Sequence, residues 1–255
     1  MKFKFSYVLS RLCLLLCMIL SISVCAKERP IWVRAFGVES SIEGLFFETN
    51  GEYRELALRA FSPSNPTKIP IDGDSLYLYT KYIDAETGLP MYQRSGSLDV
   101  PSASKLLTLA VVPMPAIDAV PQFKLIGFDD NDPAYQENTI RLINYSPYDV
   151  AAMFGDQRVL AKSGKTVFQQ VDADEKGRVF GVAGRLISSE NGYDLETFYQ
   201  GPIIIMPGRR VTMLVSYSVE ALRARGEMLM MDAQGNPRPE FVVAQWMERA
   251  PRRPD

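Results

Sequence analysis

Short stretches in which apolar and polar residues alternate recur along almost the whole chain. Alternation with a period of two is typical of a β-strand with one buried face, and β-branched and aromatic residues favour strands. This pattern predicts strands over residues 31–36, 44–47, 55–61, 76–83, 105–112 and 123–128, and then over 139–144, 150–154, 166–171, 179–187, 202–206, 210–217, 228–231 and 241–246. Turn-forming pairs such as Asn50-Gly51 and Asn191-Gly192 separate many of them. Many short, closely spaced strands predict an all-β sandwich or barrel.

One short helix is predicted near the C-terminus. Ser218 can cap its start, Arg223 and Arg225 suit its C-terminal end, and Gly226 can stop it. The predicted helix is at most two turns long.

The second half of the chain repeats features of the first half at a nearly constant offset. The matched features are Arg34 with Arg141, Phe61 with Phe168 and Met91-Tyr92-Gln93 with Phe198-Tyr199-Gln200 at an offset of 107, Pro101 with Pro207 at 106, and Asp129…Pro133 with Asp232…Pro237 at 103 and 104. Any two β domains can share such patterns by chance, but a near-constant offset favours an internal duplication. Equivalent residues such as Phe61 and Phe168, or Tyr92 and Tyr199, are then expected to occupy the same place.

The repeat predicts two tandem immunoglobulin-like β-sandwich domains. The first runs from 27 to 132 and the second from 133 to 250, while residues 251–255 are expected to form a disordered tail. A unit of about one hundred residues is a usual domain size. The Pro-rich segment 113–121 falls inside the first unit, opposite the predicted helix of the second.

The first 26 residues have the layout of a secretory signal peptide. Lys2, Lys4 and Arg11 make a basic start, an apolar run follows, and a cleavage site after Ala26 would leave Lys27 as the mature N-terminus. The alternatives are an uncleaved membrane anchor and a lipoprotein that uses Cys25. The main reading places the protein in the periplasm or outside the cell.

Composition then excludes several chemistries. The chain has no histidine, and its three cysteines all lie in the predicted signal, so the mature chain can form neither a Ser-His-Asp triad nor a disulfide. Zinc and haem sites that depend on these residues are excluded as well. Without the three basic residues of the signal, 25 basic and 30 acidic residues give a net charge of −5, and nothing indicates a nucleic-acid binder.

Residues 140–147, which read Ile-Arg-Leu-Ile-Asn-Tyr-Ser-Pro, resemble the opening of small immunoglobulin-like domains in exported bacterial proteins of unknown function. The first unit departs from this motif, with Gly37 where Asn144 stands. The resemblance implies the fold and the compartment, and it implies no activity.

The densest acidic cluster, 129–133 together with Glu137, is a candidate calcium site. Calcium takes six to eight oxygen ligands from such residues. An EF-hand would need a glycine at the sixth position from Asp130, where Tyr135 stands. Because the counterpart at 232–237 reads as an ordinary polar turn, we expect a solvated turn and no metal; the segment 172–175 is a weaker case.

Two short motifs match catalytic patterns only formally. Ser102 and Lys105 fit the S-x-x-K of penicillin-recognising enzymes, but the companion motifs of those enzymes do not occur in the sequence. Gly164-Lys165-Thr166 is similar to the end of a phosphate-binding loop, yet Val159 occupies the place of the required glycine. We expect a strand entry in the first case and a hairpin turn in the second.

The segment 76–79 carries two alternating apolar sets. Leu76 and Leu78 are expected to face one side of the sheet, and Tyr77 and Tyr79 the other. The tyrosines suit a binding face for protein or glycan, because they offer amphipathic surface with a polar tip. The alternative is a strand covered on both sides, or tyrosines that pair across strands.

These observations predict an exported, non-catalytic protein that serves as a binding, adhesion or envelope-scaffold module. The alternatives are a carboxylate-dependent polysaccharide hydrolase and an accessory subunit of an exported complex. No catalytic, cofactor-binding or metal-binding residue is assigned, and the expected partner is a protein or a glycan. No membrane span is expected after signal cleavage.

Overall fold

The computed structural model describes residues 29–117, 119–189 and 192–250. Within these residues it contains sixteen strands and one helix, so the predicted all-β class is confirmed. The predicted signal peptide at 1–26 and the predicted tail at 251–255 lie outside the described residues. No helix among the described residues is both long and apolar enough to cross a membrane.

The first eight strands form a β-sandwich. They are β1 (Arg29–Gly37), β2 (Leu45–Thr49), β3 (Glu52–Glu55), β4 (Thr67–Ile71), β5 (Ser75–Ile83), β6 (Pro90–Asp99), β7 (Leu106–Ile117) and β8 (Val120–Asp129). One sheet has the order β4-β1-β7-β8 and the other has the order β3-β2-β5-β6. A continuous apolar core that includes Val33, Leu78 and Leu109 fills the space between the two sheets.

The remaining eight strands form a second β-sandwich. They are β9 (Thr139–Asn144), β10 (Val150–Phe154), β11 (Gln157–Ala161), β12 (Thr166–Gln170), β13 (Arg178–Ser189), β14 (Gly192–Ile204), β15 (Arg209–Ser218) and β16 (Glu240–Arg249), with the helix α1 (Val219–Arg225) before β16. The sheets have the orders β12-β9-β15-β16 and β11-β10-β13-β14, which are those of the first sandwich with every strand number raised by eight. The apolar core between them includes Leu142, Phe154 and Met213.

This strand order differs from that of the immunoglobulin fold, in which the first strand lies beside the second in an A-B-E-D sheet. Here β1 lies between β4 and β7, and its pairing with β7 is parallel. The sandwich class is therefore as predicted, whereas the immunoglobulin order is not found.

Most predicted elements occur close to their predicted positions. The helix α1 is capped by the Ser218 side chain, which accepts a hydrogen bond from the Ala221 backbone, and it ends at Gly226 in a left-handed conformation. The predicted strands 55–61 and 228–231 are wrong, because these segments contain only isolated bridges apart from Glu55, the last residue of β3. In the first sandwich Ile117 of β7 pairs with Val120 of β8, whereas in the second sandwich α1 lies between the corresponding strands β15 and β16.

Strand registers show which residues correspond between the sandwiches. Arg34 lies opposite Thr108 in the β1·β7 pair, and Arg141 lies opposite Thr212 in the β9·β15 pair. The β5·β6 and β13·β14 pairs each contain a register shift at the corresponding step, Leu78/Tyr79 and Ala183/Gly184. The predicted match of Arg34 with Arg141 therefore agrees with the registers.

The expected equivalences of Phe61 with Phe168, of Tyr92 with Tyr199 and of Asp129 with Asp232 are wrong. Asp129 lies opposite Leu107, and the residue opposite the equivalent Val211 is Met247. Phe168 lies in β12 opposite Arg141, whereas Phe61 lies between β3 and β4. Tyr92 lies opposite Lys81 and Tyr199 opposite Ala183, on different sides of the shared register shift. A constant offset fails because the loops differ in length: the segment 56–66 precedes β4, but only 162–165 precedes β12.

The two sandwiches share a third apolar core. It joins Phe36 and Ala110 of the first sandwich to Ile143, Leu214 and Ala244 of the second. The sheets β4-β1-β7-β8 and β12-β9-β15-β16, here called the inner sheets, therefore pack against each other, and the molecule has four β layers. Strand β9 is buried at every position, because both of its faces are covered.

A buried group of charged residues, here called the inter-unit ion cluster, also lies between the inner sheets. It consists of Arg34, Asp130, Arg141, Arg210 and Glu248. Asp130 receives Arg34 Nη2 at 2.6 Å and Arg141 Nη1 at 2.9 Å on its two oxygens. Glu248 also pairs with both Arg34 and Arg141. The first sandwich thus contributes one arginine and one carboxylate, and the second contributes two arginines and one carboxylate. Arg34 and Arg141 each pair with a carboxylate of their own unit and with one of the other unit.

Tyr135 completes this cluster. Its side chain is fully buried, and its hydroxyl donates to Glu248 Oε1 at 2.7 Å. The Arg141 and Arg210 guanidinium carbons lie 4.3 and 3.9 Å from its ring centre. Burial raises the pKa of Tyr135 and lowers that of Arg210 to about 10, so Arg210 stays charged at neutral pH. These contacts fix how the two sandwiches sit against each other.

Candidate binding face on the first sandwich

The outer sheet β3-β2-β5-β6 presents aromatic side chains on the side away from the core. In β5, Leu76 and Leu78 are fully buried, whereas Tyr77 and Tyr79 are half-buried on the opposite side. The predicted alternation of this strand is therefore confirmed. Together with Phe46 of β2, Tyr53 of β3 and Tyr92 of β6, these two tyrosines form a surface here called the tyrosine face.

Ring contacts make most of the tyrosine face continuous. The rings of Tyr53 and Tyr92 stack almost in parallel, with centroids 3.9 Å apart. Tyr79 contacts Tyr53 edge-on at 5.1 Å, and Phe46 contacts Tyr92 edge-on at 5.2 Å. Burial raises the pKa of Tyr53, and the nearby Glu48 carboxylate raises it further, so its hydroxyl remains protonated and available as a donor.

Charged side chains surround these rings. The guanidinium carbon of Arg94 lies 3.6 Å from the ring centre of Tyr77, and Arg94 pairs with Tyr79 across the β5·β6 ladder. Glu48 stands opposite Tyr53 in the β2·β3 hairpin. Among the described residues, neither Arg94 nor Glu48 forms a side-chain hydrogen bond or ion pair. Their polar atoms are therefore available to a ligand.

A cavity of about 500 Å³ opens beside the tyrosine face. Its wall combines the rings of Tyr77 and Tyr79, the Arg94 side chain and the exposed carboxylates of Glu48 and Asp72. Ser75, Thr49, Asn50 and a short backbone stretch at Gly51, Pro70 and Ile71 complete it. This volume falls within the range of small-molecule sites, about 300–1,000 Å³.

The corresponding face of the second sandwich carries no aromatic residue at these five places. The registers align Phe46, Tyr53, Tyr77, Tyr79 and Tyr92 with Ala151, Arg158, Val182, Gly184 and Leu195, respectively. At Gly184 a Cβ atom would lie 2.6 Å from the Glu196 carbonyl oxygen, so this place has no room for a side chain. Since the same strand arrangement forms without aromatics, the tyrosine face is not a requirement of the fold.

The structural role of the acidic cluster 129–133 differs from the predicted one. Asp129 and Asp132 accept hydrogen bonds from the Asn131 and Ala134 backbone N–H groups, as expected of a polar turn. The expectation that this whole segment is solvated is wrong for Asp130, which is fully buried in the inter-unit ion cluster. Because both oxygens of Asp130 already receive arginine N–H groups, they are engaged with protein donors rather than open to a cation.

A second acidic segment lines a cavity of about 420 Å³ on the second sandwich, with Glu137 and residues 172–177 in its wall. The Asp174 carboxylate accepts from the Lys176 and Arg178 backbone N–H groups and pairs with the Arg178 guanidinium. These hydrogen bonds keep the pKa of Asp174 below its usual value. Among the described residues, no three acidic side chains are grouped so as to hold a metal ion.

The two formally catalytic motifs lie apart from the tyrosine face. Ser102 is exposed in the turn before β7, and the backbone carbonyl of Lys105 accepts from the Trp32 backbone N–H at 3.0 Å. Gly164 and Lys165 form the turn between β11 and β12, with Gly164 in a left-handed conformation. This turn joins two different sheets, so the expected hairpin is not formed there.

The sequence matches no protein-family model and no curated protein.

Proposed function

We propose that this protein is an exported, non-catalytic binding protein and that the tyrosine face is its contact surface. One observation carries the proposal: five aromatic side chains stand on one outer face, at places where the same fold elsewhere in the chain has none. Aromatic residues dominate the energetics of binding surfaces, because they bury large areas at little conformational cost.

Two features favour binding over hydrolysis at this face. A glycoside hydrolase needs one carboxylic acid with a raised pKa, which proteins achieve by placing it in an apolar pocket. Glu48 and Asp72, the carboxylates of the cavity, are both exposed to solvent. The chain also has no histidine that could act as an alternative general base.

Export rests on the sequence of the first 26 residues. Their basic start and apolar run are typical of a signal peptide. Outside the cytoplasm a disulfide-free domain must rely on its core, and the apolar cores within and between the sandwiches supply that stability here.

The proposal predicts that binding to native envelope material depends on the tyrosine face. Envelope fractions from the source organism would be passed over immobilised mature protein, and the retained material quantified for wild type and for the double variant Tyr79→Ala, Tyr92→Ala. Central aromatic contacts are worth about 2 kcal/mol or more each, so we expect retention to fall at least about tenfold.

The matched control is Phe180→Ala, which removes an exposed aromatic from the outer face of the second sandwich. It should leave retention unchanged. Unfolding curves for all variants would establish that each is folded. Equal retention by the wild type and the tyrosine variant would refute the proposed contact surface.

We also propose that the two sandwiches descend from one duplicated unit. The identical strand orders, the shared register shift in the fifth strand and the equivalence of Arg34 with Arg141 support this origin. Asp130 and Glu248 correspond as well. The equivalent residues Leu107 and Val211 lie opposite Asp129 and Met247, and Asp130 and Glu248 are the next residues along the chain. A crystal structure in which the halves have different strand orders would contradict duplication.

A further inference from the structure

We infer that the ligand of the tyrosine face is a neutral oligosaccharide, bound in the cavity lined by Tyr77, Tyr79 and Arg94. This inference rests on the proposed binding function and adds the chemical class of the ligand. The size of the cavity, its polar groups and its balance of charge carry it.

The size of the cavity suits a short chain of small rings. A closed cavity of about 150 Å³ holds one benzene molecule. The cavity beside Tyr77 and Tyr79 measures about 500 Å³ and is open to solvent, so it has room for two or three six-membered rings. An open cavity also allows a longer chain to leave at both ends.

The polar groups of the wall suit a ligand with many hydroxyls. Carboxylates only accept hydrogen bonds, and a guanidinium only donates them. A sugar hydroxyl can do both, so it can donate to Glu48 or Asp72 and accept from Arg94. Among the described residues, these three side chains form no hydrogen bond or ion pair with one another or with other groups. The tyrosine rings offer apolar surface to the C–H faces of the same sugar.

The charged groups of the wall suit neither an anionic polymer nor a lysine-rich peptide. Glu48 and Asp72 would repel a phosphate or a uronate polymer. The same carboxylates would attract a lysine-rich peptide, but Arg94 already occupies the face of Tyr77 at 3.6 Å, where a lysine ammonium group would otherwise bind. A neutral ligand that both donates and accepts hydrogen bonds meets neither obstacle.

The experiment uses the immobilised mature protein and envelope fractions that were treated beforehand with periodate, which destroys the vicinal diols of sugars, or with a protease. We expect retention to be lost after periodate and kept after protease. Retained binding would then be competed with neutral glucan oligosaccharides, with polygalacturonate oligomers and with oligolysine. We expect competition by the neutral oligosaccharides only.

Two variants test whether retention depends on the cavity. Arg94→Met should weaken retention of protease-treated material at least tenfold, whereas Arg158→Met, at an exposed arginine on the corresponding face of the second sandwich, should leave it unchanged. Suppose that retention survives periodate, is lost after protease and still depends on Tyr79 and Tyr92. That result would contradict a sugar ligand but would support the proposed binding function. Competition by a charged polymer alone would also contradict a neutral sugar ligand. Retention that depends on none of these side chains would refute both proposals.

Discussion

Replacing Arg141 with methionine should destabilise the whole protein severely. Arg141 is fully buried, and its guanidinium binds Asp130 at 2.9 Å, Thr212 at 3.0 Å and Glu248 at 3.4 Å. Methionine keeps much of the apolar stem but leaves two carboxylates with one arginine fewer between them. Removing one partner of a buried ion pair costs about 3–5 kcal/mol. Arg34 would still pair with both carboxylates, but Asp130 Oδ1 would lose the arginine donor that it has in the wild type.

The expected loss can be read from the melting temperature and from urea unfolding. In a domain of 150–250 residues, 1 kcal/mol shifts the melting temperature by about 2–4 °C, so the variant should melt about 6–20 °C lower. Trp246 packs edge-on against Phe36 between the inner sheets, at a ring distance of 5.1 Å, and its fluorescence reports separation of the sandwiches. Because the cluster and the third core join both units, we expect one unfolding transition for the wild type.

The control is Arg178→Met, which breaks the Arg178–Asp174 pair at 2.9 Å on the surface. Both of its side chains are about half exposed, and exposed pairs contribute less than about 1 kcal/mol. If Arg141→Met fails to fold, Arg141→Lys can be used in its place, because lysine keeps the positive charge but lacks the planar guanidinium. Its loss of unfolding free energy should lie between those of Arg178→Met and Arg141→Met. If Arg141→Met and Arg178→Met destabilise equally, the buried cluster does not hold the units together.

Four further outcomes are expected. Burial raises the pKa of Glu39, so its contribution to stability is complete below its unfolded-state pKa and is lost as the pH rises through the folded-state pKa. Glu39→Gln should therefore raise the free energy of unfolding by less than about 1 kcal/mol at pH 7 and leave it unchanged at pH 3. Ser218→Ala removes the cap of α1 and should cost about 1 kcal/mol in urea unfolding. N-terminal sequencing of the protein from its source should begin at Lys27; a retained Met1 in a membrane fraction would contradict export. Calcium should not raise the melting temperature, since Asp130 is engaged with arginines, whereas a site filled at 100 times its Kd would add about 2.7 kcal/mol.

Sequence patterns predict those elements whose two faces differ strongly or are both apolar. The predicted strands 139–144 and 150–154 coincide with β9 and β10, and the capping residues of α1 predict its bounds. The strands β3, β4, β6 and β11 and most of β14 are missed because they are short or are exposed on both faces, and β4 contains Pro70. Their place in a sheet depends on pairing with distant strands rather than on their own periodicity.

The dependence on strand pairing also determines which residues of the candidate site can be identified from the sequence. Tyr77 and Tyr79 are visible from the alternation of β5 alone. Tyr53 and Tyr92 are not, because their strands are among those missed, and only strand pairing brings them together at 3.9 Å. Asp130 looks like its acidic neighbours in the sequence, and it becomes a buried residue only when arginines from both units close around it.

The stack of four β layers sets the separation of the two outer faces. Sheets that pack face to face lie about 10 Å apart, so the two outer faces lie about 30 Å apart and look in opposite directions. One is the tyrosine face, and the other carries exposed apolar side chains such as Met153, Leu160 and Phe180. Because the inner sheets are covered on both sides, neither outer face can approach or turn towards the other without opening the inter-unit ion cluster. Two bodies held on these faces would be kept at one separation and one orientation, which a pair of domains on a flexible linker could not achieve.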